Sequence, residues 1–442
     1  MKIVYLGAGA AGMYCGSCLH DNTLAAALLA LGEDVLLMPT YTPLRTDEQD
    51  VSESRLFFGG INVYLQQHSA LFRHTPWFID ALLDRPSIIN WVTKGGPSVE
   101  ASRLGDLTVS MLAGEHGRQR KEIDKLVHWL ASDARPDVVH LSNAMLLGMA
   151  REIRKLGIPV LCSLSGEDIF LEKLVEPFYS QARGILRERG GEIEGHVALN
   201  HYYADFMAGY MDVPRERIHV IPHGLNLAGH GTRRDRGDGV AVIGYLARIC
   251  ADKGLHNLIA AAELLAEDPS VPPFAIRAAG YLGNSDRPYL ETINERVARW
   301  KQPDRFRYVG ELTRAEKIAF LQGLDVMSLP TVYHESKGLS VLEALANAVP
   351  VVLPAHGAFP EVIEQTGGGL LYDPQDPRAL AAQLKRLLTN PAERAALGAS
   401  GQQAVHRDFQ AAEMAERTRD LYQQVLAQRQ TPHRAAADGL RK

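Results

Sequence analysis

Cysteine is scarce: Cys15, Cys18, Cys162 and Cys250 are the only four in 442 residues. That is too few to staple a chain of this length as a disulfide scaffold. No run of about 18 or more uncharged apolar residues occurs, so no membrane-spanning helix is expected. The opening, MKIVYLGAG, is one lysine followed by a strand-like run. It lacks the basic stretch, long apolar segment and cleavage site of a secretory leader. Charge of one sign is missing as well. Lys and Arg number 47 against 52 Asp and Glu, and the formal net charge of -5 gives no global basic field for nucleic acid. A cytoplasmic protein is the default expectation. Peripheral contact with the inner face of a membrane stays open, since a local patch does not show in a net charge.

What is present is ordinary globular composition, 46% hydrophobic and 22% charged. The length suggests two or three domains, and either half can bury a core of its own. The first half alternates strands with helices. A short buried strand at Ile3–Leu6 is followed by an Ala/Leu-rich helix at Asn22–Leu31, stopped by Gly32, and a strand at Asp34–Met38. Phe57–Gln66 alternates apolar and polar residues as an extra strand would, inside an aromatic-rich excursion over 56–95 that can shape an acceptor pocket or simply pack on the core. Further on come a helix over Arg118–Ser132, a strand at Val138–Leu141, a helix over Leu146–Leu156 and a strand at Ile158–Leu164. A long charged helix over Ile169–Arg189 and strands at Val197–Leu199 and Ile218–Ile221 complete this half. Alternation at this spacing means a parallel sheet covered by helices.

Pro222–Asp238, with its glycines and the run RRDRGDG, is the best boundary. We therefore expect a first Rossmann-like domain over 1–222 and a second over 223–400, whose strands begin near Val240, Ala275, Phe306, Val326, Val351 and Gly369. Closing helices over 401–427, broken near Asp408–Phe409, are expected to return to the first domain. The polar stretch 430–442 reads as a disordered tail.

Gly7-Ala8-Gly9-Ala10-Ala11-Gly12 matches GxGxxG after the first strand. A dinucleotide site also needs an acid at the end of the second strand to bind the ribose. That strand instead runs into Pro39-Thr40-Tyr41, and MYCGSCLHDN intervenes before the clear helix. A nicotinamide or flavin cofactor is not expected. A glycine loop of this kind can still let backbone N–H groups approach an anion.

The informative segment is YHESKGLSVLEALANAVPVV, Tyr333–Val352. Glu335 lies in a loop after a strand, and Glu343 lies eight residues on, inside an Ala/Leu helix. Orphan N–H groups at the start of that helix suit phosphate. A carboxylate one to two turns inside can accept hydrogen bonds from a ribose diol. Arg248 and Lys253 bracket the loop after the first strand of the second half, where two cations can hold a diphosphate. Taken singly, Glu343 reads as a surface carboxylate, Glu335 as an acid near a positive helix end, and the Arg248–Lys253 stretch as a solvated loop.

Together these pieces resemble glycosyltransferase family 4. Its Glu, seven residues, Glu pattern is matched by Glu335 and Glu343, and its donor-loop cations by Arg248 and Lys253. Ile221-Pro222-His223-Gly224-Leu225-Asn226 is similar to its linker Ile-Pro-Asn-Gly-Val-Asp. Tyr308–Leu312, Leu324–Thr331, Gly357–Glu361 and Gly367–Asp376 resemble its later phrases. The resemblance spans nearly all of 1–425 and implies an α/β GT-B fold, two Rossmann-like domains with parallel sheets facing across a cleft. It further implies a retaining hexosyltransferase-type enzyme that takes a UDP- or GDP-sugar to a hydroxyl on a sugar, lipid-linked or small-molecule acceptor, without a metal or other cofactor. Arg248 and Lys253 would grip the donor diphosphate, Gly338 and Leu339 would offer N–H groups to it, Glu343 would hold the ribose, and Glu335 would face the transferred sugar. Residues around Val309–Leu312 would border the base.

One departure bears on the sugar side. Many members of the family it resembles carry a histidine in a Thr-Leu-His-Gly-Glu-Asp-like turn, whereas this chain reads Ser163-Leu164-Ser165-Gly166-Glu167-Asp168. Ser165 leaves room for another sugar group, a water or a histidine from elsewhere. His20 and His140 are the candidates by strand-end position, with Gly12, Ser165 and Asp168 bordering the same side. A non-catalytic nucleotide-sugar-binding protein or a GT-B-like epimerase are the alternative functions. Cys15 and Cys18, followed by His20, read as small thiols lining a loop.

Overall fold

The computed structural model describes residues 1–9, 16–53, 63, 66, 67, 101–231, 233 and 239–439. It divides into two compact units, Met1–Gly224 with Ala411–Lys442, and Leu225–Gln410.

The first unit runs β1 (Lys2–Gly7), α1 (Gly16–Ala30), β2 (Asp34–Pro39), α2 (Ala101–Leu112), α3 (Arg120–Trp129), β3 (Val138–Leu141), α4 (Ala150–Lys155), β4 (Val160–Leu164), α5 (Asp168–Leu171), α6 (Phe178–Gly190), β5 (Gly195–Ala198), α7 (His201–Met211) and β6 (Ile218–Val220). Its sheet is parallel throughout, in the order β2-β1-β3-β4-β5-β6. Strand pleating sends Ile3 and Tyr5 to one core and Val4 and Leu6 to another, and all four are fully buried. Burial on both faces explains why these strands read as continuous apolar runs.

The second unit runs β7 (Ala241–Leu246), α8 (Leu255–Glu267), β8 (Phe274–Ala279), α9 (Arg287–Val297), β9 (Phe306–Tyr308), α10 (Arg314–Gln322), β10 (Val326–Ser328), α11 (Leu339–Ala346), β11 (Val351–Pro354), α12 (Phe359–Thr366), β12 (Gly369–Tyr372), α13 (Ala379–Thr389) and α14 (Pro391–Asp408). Its parallel sheet has the order β12-β11-β10-β7-β8-β9. The chain winds outward from β7 through β8 and β9, then returns to the other side of β7 as β10. The carboxyl ends of β7 and β10 thus meet at the topological switch point, where open α/β sheets bind ligands.

A last helix, α15 (Ala411–Gly439), belongs to the first unit and packs on α1. Its Met414, Ala415, Leu421, Tyr422 and Val425 complete the core on the Ile3/Tyr5 face. Tyr422 also carries the polar anchor of that contact: its hydroxyl bonds His140 Nδ1 at 2.6 Å, while His140 Nε2 meets Ser163 Oγ at 2.8 Å. Replacing Tyr422 with Phe strands one nitrogen of a buried ring, and is expected to cost about 1–2 kcal/mol. Urea unfolding would show a lower midpoint with an unchanged slope; an unchanged midpoint would mean the bond contributes nothing net.

Several elements differ from expectation. Helix α1 begins at Gly16 rather than Asn22, because tertiary bonds override weak local propensity. Asn22 bonds Gln49 O and Val51 N at 2.9 Å each, and Thr23 Oγ1 donates to Glu48 Oε2 at 2.9 Å. The helix expected over Ile169–Arg189 is two, α5 and α6, parted before Pro177 and Phe178, since proline has no N–H to continue the ladder. The helix expected to run to Ser132 leaves α geometry at Leu130, where a wider turn takes over. Val63, Gln66 and Gln67 are helical, not stranded, and all three are buried. The rest of the excursion over 56–95, with Gly12 and Cys15, lies outside the described residues. Of the closing helices expected over 401–427 with a break near Asp408–Phe409, α14 ends at Asp408 in the second unit, and only α15, from Ala411, belongs to the first. The stretch 430–442, expected to be a disordered tail, is helical as far as Gly439.

Candidate functional site

The loop after β7 supplies Arg248 and Lys253, and the loop after β10 supplies Tyr333, Glu335 and Gly338. Lys253 ends a short turn, Ala251–Lys253, closed by Gly254 with φ of 74°. The two loops are joined by a backbone bond, Val332 N to Asp252 O at 2.9 Å, and the side chain of Asn257 on α8 adds a bond from Nδ2 to Pro330 O at 3.3 Å.

At that seam lies a charged cluster. Lys253 Nζ donates to Glu335 Oε2 at 2.6 Å and to the Tyr333 hydroxyl, and lies 4.8 Å from the centre of the Tyr333 ring. Tyr333 in turn donates to Glu335 Oε2 at 2.7 Å. The other carboxylate oxygen accepts the N–H groups of Ser336 and Lys337, each at 3.2 Å. Glu335 is only 5% exposed. Burial alone would raise its pKa. The charge and hydrogen bond of Lys253 outweigh that, with help from Tyr333 and the Lys337 N–H, and hold it at about 2. Burial, then the Glu335 charge, push the Tyr333 hydroxyl well above its ordinary range, so it stays a donor. Arg248 is exposed, with Nε directed to Cys250 Sγ at 3.4 Å.

A depressed carboxyl stabilises the fold above its unfolded pKa, near 4.5, and that contribution is lost as pH falls through about 2. Between those values the chain is expected to lose roughly 3 kcal/mol from this group. Urea midpoints measured across that window should fall more steeply for the wild type than for Glu335→Gln; parallel curves would contradict the assignment.

Gly338 caps α11 with φ of 69° and has no side chain to cap it; Val341 N and Leu342 N bond Gly338 O at 3.0 and 3.1 Å, and the Leu339 N–H ahead of them has no intrahelical acceptor. Glu343 is one turn further in and is 5% exposed. It is not the surface carboxylate that its type alone suggests: Lys317 Nζ from α10, on a residue only 8% exposed, pairs with its Oε1 at 2.5 Å. Lys317 was missed in the sequence. The signal was its spacing of four before Leu321, on the buried face of a helix whose start is marked by the Thr313/Glu316 capping box. Val309 and Leu312 follow β9. Val309 N donates to Ala278 O at 2.8 Å and its side chain is 36% exposed, while Leu312 is half-buried.

In the first unit the switch point lies between β1 and β3, where Ala8 N donates to Ser142 Oγ at 3.0 Å. The Ser165 turn follows β4. Ser165 N donates to Glu167 Oε2 at 2.8 Å, and Ala144 N to Glu167 Oε1 at 2.9 Å. The hydroxyl of Tyr203 reaches Asp168 Oδ1 at 2.7 Å and Glu167 Oε2 at 3.1 Å. Glu167, not singled out in the sequence, is thus the brace of this turn, and Ser165 and Asp168 lie partly exposed on it. His140 is corrected from a candidate sugar contact to a core residue. It is fully buried, both ring nitrogens are bonded within the unit, and it stacks on Tyr5 at 4.7 Å. Burial lowers its pKa to about 3, so it is neutral. His20 is 6% exposed and packs edge-on to His223 at 4.8 Å.

Fold and site together define an α/β protein of the GT-B type with cations and a helix start at the switch point of its second sheet. Similar folds include Anabaena HepE in complex with UDP and glucose (TM-score 0.65, 16% identity, covering 95% of this chain and 99% of that one). Sucrose-phosphate synthase from Thermosynechococcus elongatus is another (TM-score 0.68, 18% identity, covering 96% and 99%). The model for glycosyl transferases group 1 matches residues 233–404, and that for the glycosyl transferase 4-like domain matches residues 22–224. Glycogen synthase of Mycobacterium tuberculosis is 30% identical over 297 residues, 65% of this chain and 69% of that protein. The chain belongs to the family 4 type of glycosyltransferases. The D-inositol 3-phosphate glycosyltransferase of Corynebacterium efficiens is 30% identical over 262 residues, 56% of this chain. The chain spans 60% of that protein's length and 61% of the alpha-maltose-1-phosphate synthase of Mycolicibacterium smegmatis.

Proposed function

We propose that the chain is a retaining glycosyltransferase that moves a hexosyl group from a UDP- or GDP-sugar to a hydroxyl acceptor. The observation that carries this reading is the Lys253–Glu335–Tyr333 cluster beside Arg248 and the α11 start, at the β7/β10 switch point. In this reading the sugar C1–O bond to the diphosphate breaks while the acceptor oxygen bonds C1 on the same face, and the acceptor proton passes to the leaving phosphate. Negative charge grows on that phosphate. Arg248, Lys253 and the N–H groups of Gly338 and Leu339 are fixed dipoles and charges that would meet it without reorganising. Glu335 would accept hydrogen bonds from the transferred sugar, and Glu343 from the ribose; Val309 and Leu312 would border the base. The reaction is expected in the cytoplasm, with peripheral membrane contact if the acceptor is lipid-linked.

Incubating the full chain with a panel of UDP- and GDP-sugars and hydroxyl acceptors tests this, with free nucleotide and product followed by mass spectrometry and the product anomer by NMR. Turnover left intact in an Arg248→Ala, Lys253→Met, Glu335→Gln triple variant would refute it. Ser165 in place of the histidine that many family members carry favours one second reading, a protein that binds the donor without transferring its sugar. Donor binding with no turnover across the acceptor panel would decide for it.

A further inference from the structure

We propose that Lys317 is a positioning residue for nucleotide binding: it holds the Glu343 carboxylate in the one orientation that accepts both hydroxyls of a ribose. The inference rests on the reading of this site as a nucleotide-sugar site. It goes beyond that reading in assigning the ribose preference to a residue on α10.

The grounds are geometric. Glu343 and Lys317 are 5% and 8% exposed, and their charged ends are 2.5 Å apart. Two buried charges of this kind lose much of their hydration, so the pair is poor evidence for a stability role. What it does supply is orientation. The bond takes Oε1 and leaves the remaining lone pairs of the carboxylate pointing along a fixed direction. The opposite end of the same residue is also tied, since Asn347 Nδ2 donates to Glu343 O at 2.8 Å. Lys317 lies one turn into α10, the helix that follows the Val309–Leu312 loop. A single helix therefore carries both the loop assigned to the base and the cation that aims the ribose acceptor. A site aimed in this way rejects a nucleotide that lacks one of the two hydroxyls, because the waiting oxygen is left without a donor.

The test compares a UDP- or GDP-sugar with its 2′-deoxyribose analogue, on wild type, Lys317→Met, Glu343→Gln and the double variant. Lys317→Met is expected to raise the donor KM about tenfold with kcat within about threefold, because the lost interaction is the same in ground and transition states. Its preference for ribose over 2′-deoxyribose is expected to fall to near unity. Lys385→Met, which removes a partly exposed lysine paired with Asp268 away from the site, is expected to change neither. An unchanged KM and an intact ribose preference in Lys317→Met overturn the proposal while leaving the nucleotide-sugar reading standing. If the wild type binds no donor, both fall together. Should Lys317→Met fail to fold, the double variant, which buries no orphan charge, is set against Glu343→Gln. Equal donor KM values support action through Glu343. A tenfold weaker double variant overturns it, because Lys317 would then contact the donor itself.

Discussion

A Lys253→Met variant is expected to transfer sugar about a thousandfold more slowly, the size of effect seen when one preorganised donor to developing charge is lost. Two losses combine. One is the cation that would face the diphosphate as its bond to the sugar breaks. The other is the partner of Glu335, bonded at 2.6 Å, which is left as a buried carboxylate with Tyr333 and two backbone N–H groups. Removing one member of a buried pair costs up to about 3–5 kcal/mol. Lys253 keeps 21% of its side chain in solvent, so about 2 kcal/mol is the better expectation here. Steady-state kcat/KM and a urea midpoint on the same preparation separate the two losses. Lys253→Arg should recover the stability and only part of the rate, because a planar fork does not place its charge where an ammonium does. A Lys253→Met variant within threefold of wild type in kcat/KM would remove the residue from the machinery.

The strands, most helices and the residues that gather around the β7/β10 switch point could be read from the sequence, for identifiable reasons. Strands buried on both faces leave unbroken apolar runs, as in Ile3–Leu6. Glu335, Glu343, Arg248 and Lys253 follow strand ends at spacings that put them at a helix start. What could not be read was pairing across distance. Nothing near His140 announces that Tyr422, on the last helix, satisfies its ring. Nothing near Glu343 announces Lys317, since a lysine is the residue least expected on a buried helix face. Glu167 looked like one acid among several, and only the fold shows it clamping Ala144 to the Ser165 turn. The early start of α1 is of the same kind: Asn22 and Thr23 favour caps and turns locally, and are held in a helix by bonds to Gln49, Val51 and Glu48. Side-chain chemistry was legible where it was local and illegible where the partner came from another element.

Gly254 and Gly338 offer a contrast that ties backbone geometry to this site. Both are left-handed, with φ of 74° and 69°, and both open a helix. A side chain at either is strained by about 1 kcal/mol from conformation alone. Their surroundings differ. A Cβ on Gly254 would sit 1.8 Å from the carbonyl oxygen of Pro330, a backbone atom that cannot rotate away. A Cβ on Gly338 would meet nothing nearer than 3.8 Å. Gly254→Ala must therefore push the loop after β7 off the loop after β10, at a total cost of about 4 kcal/mol. For a unit of this size that is roughly a 10 °C fall in Tm. The same displacement parts Lys253 from Glu335 and Tyr333, so activity should fall with stability, and the extra acid sensitivity carried by Glu335 should fade. Gly338→Ala should lose only about 1 kcal/mol, with the Lys253–Glu335 pair intact. Equal Tm losses in the two alanine variants would show that left-handed strain, and not the close approach of Gly254 to Pro330, sets the cost, and that the seam between the two loops tolerates being opened.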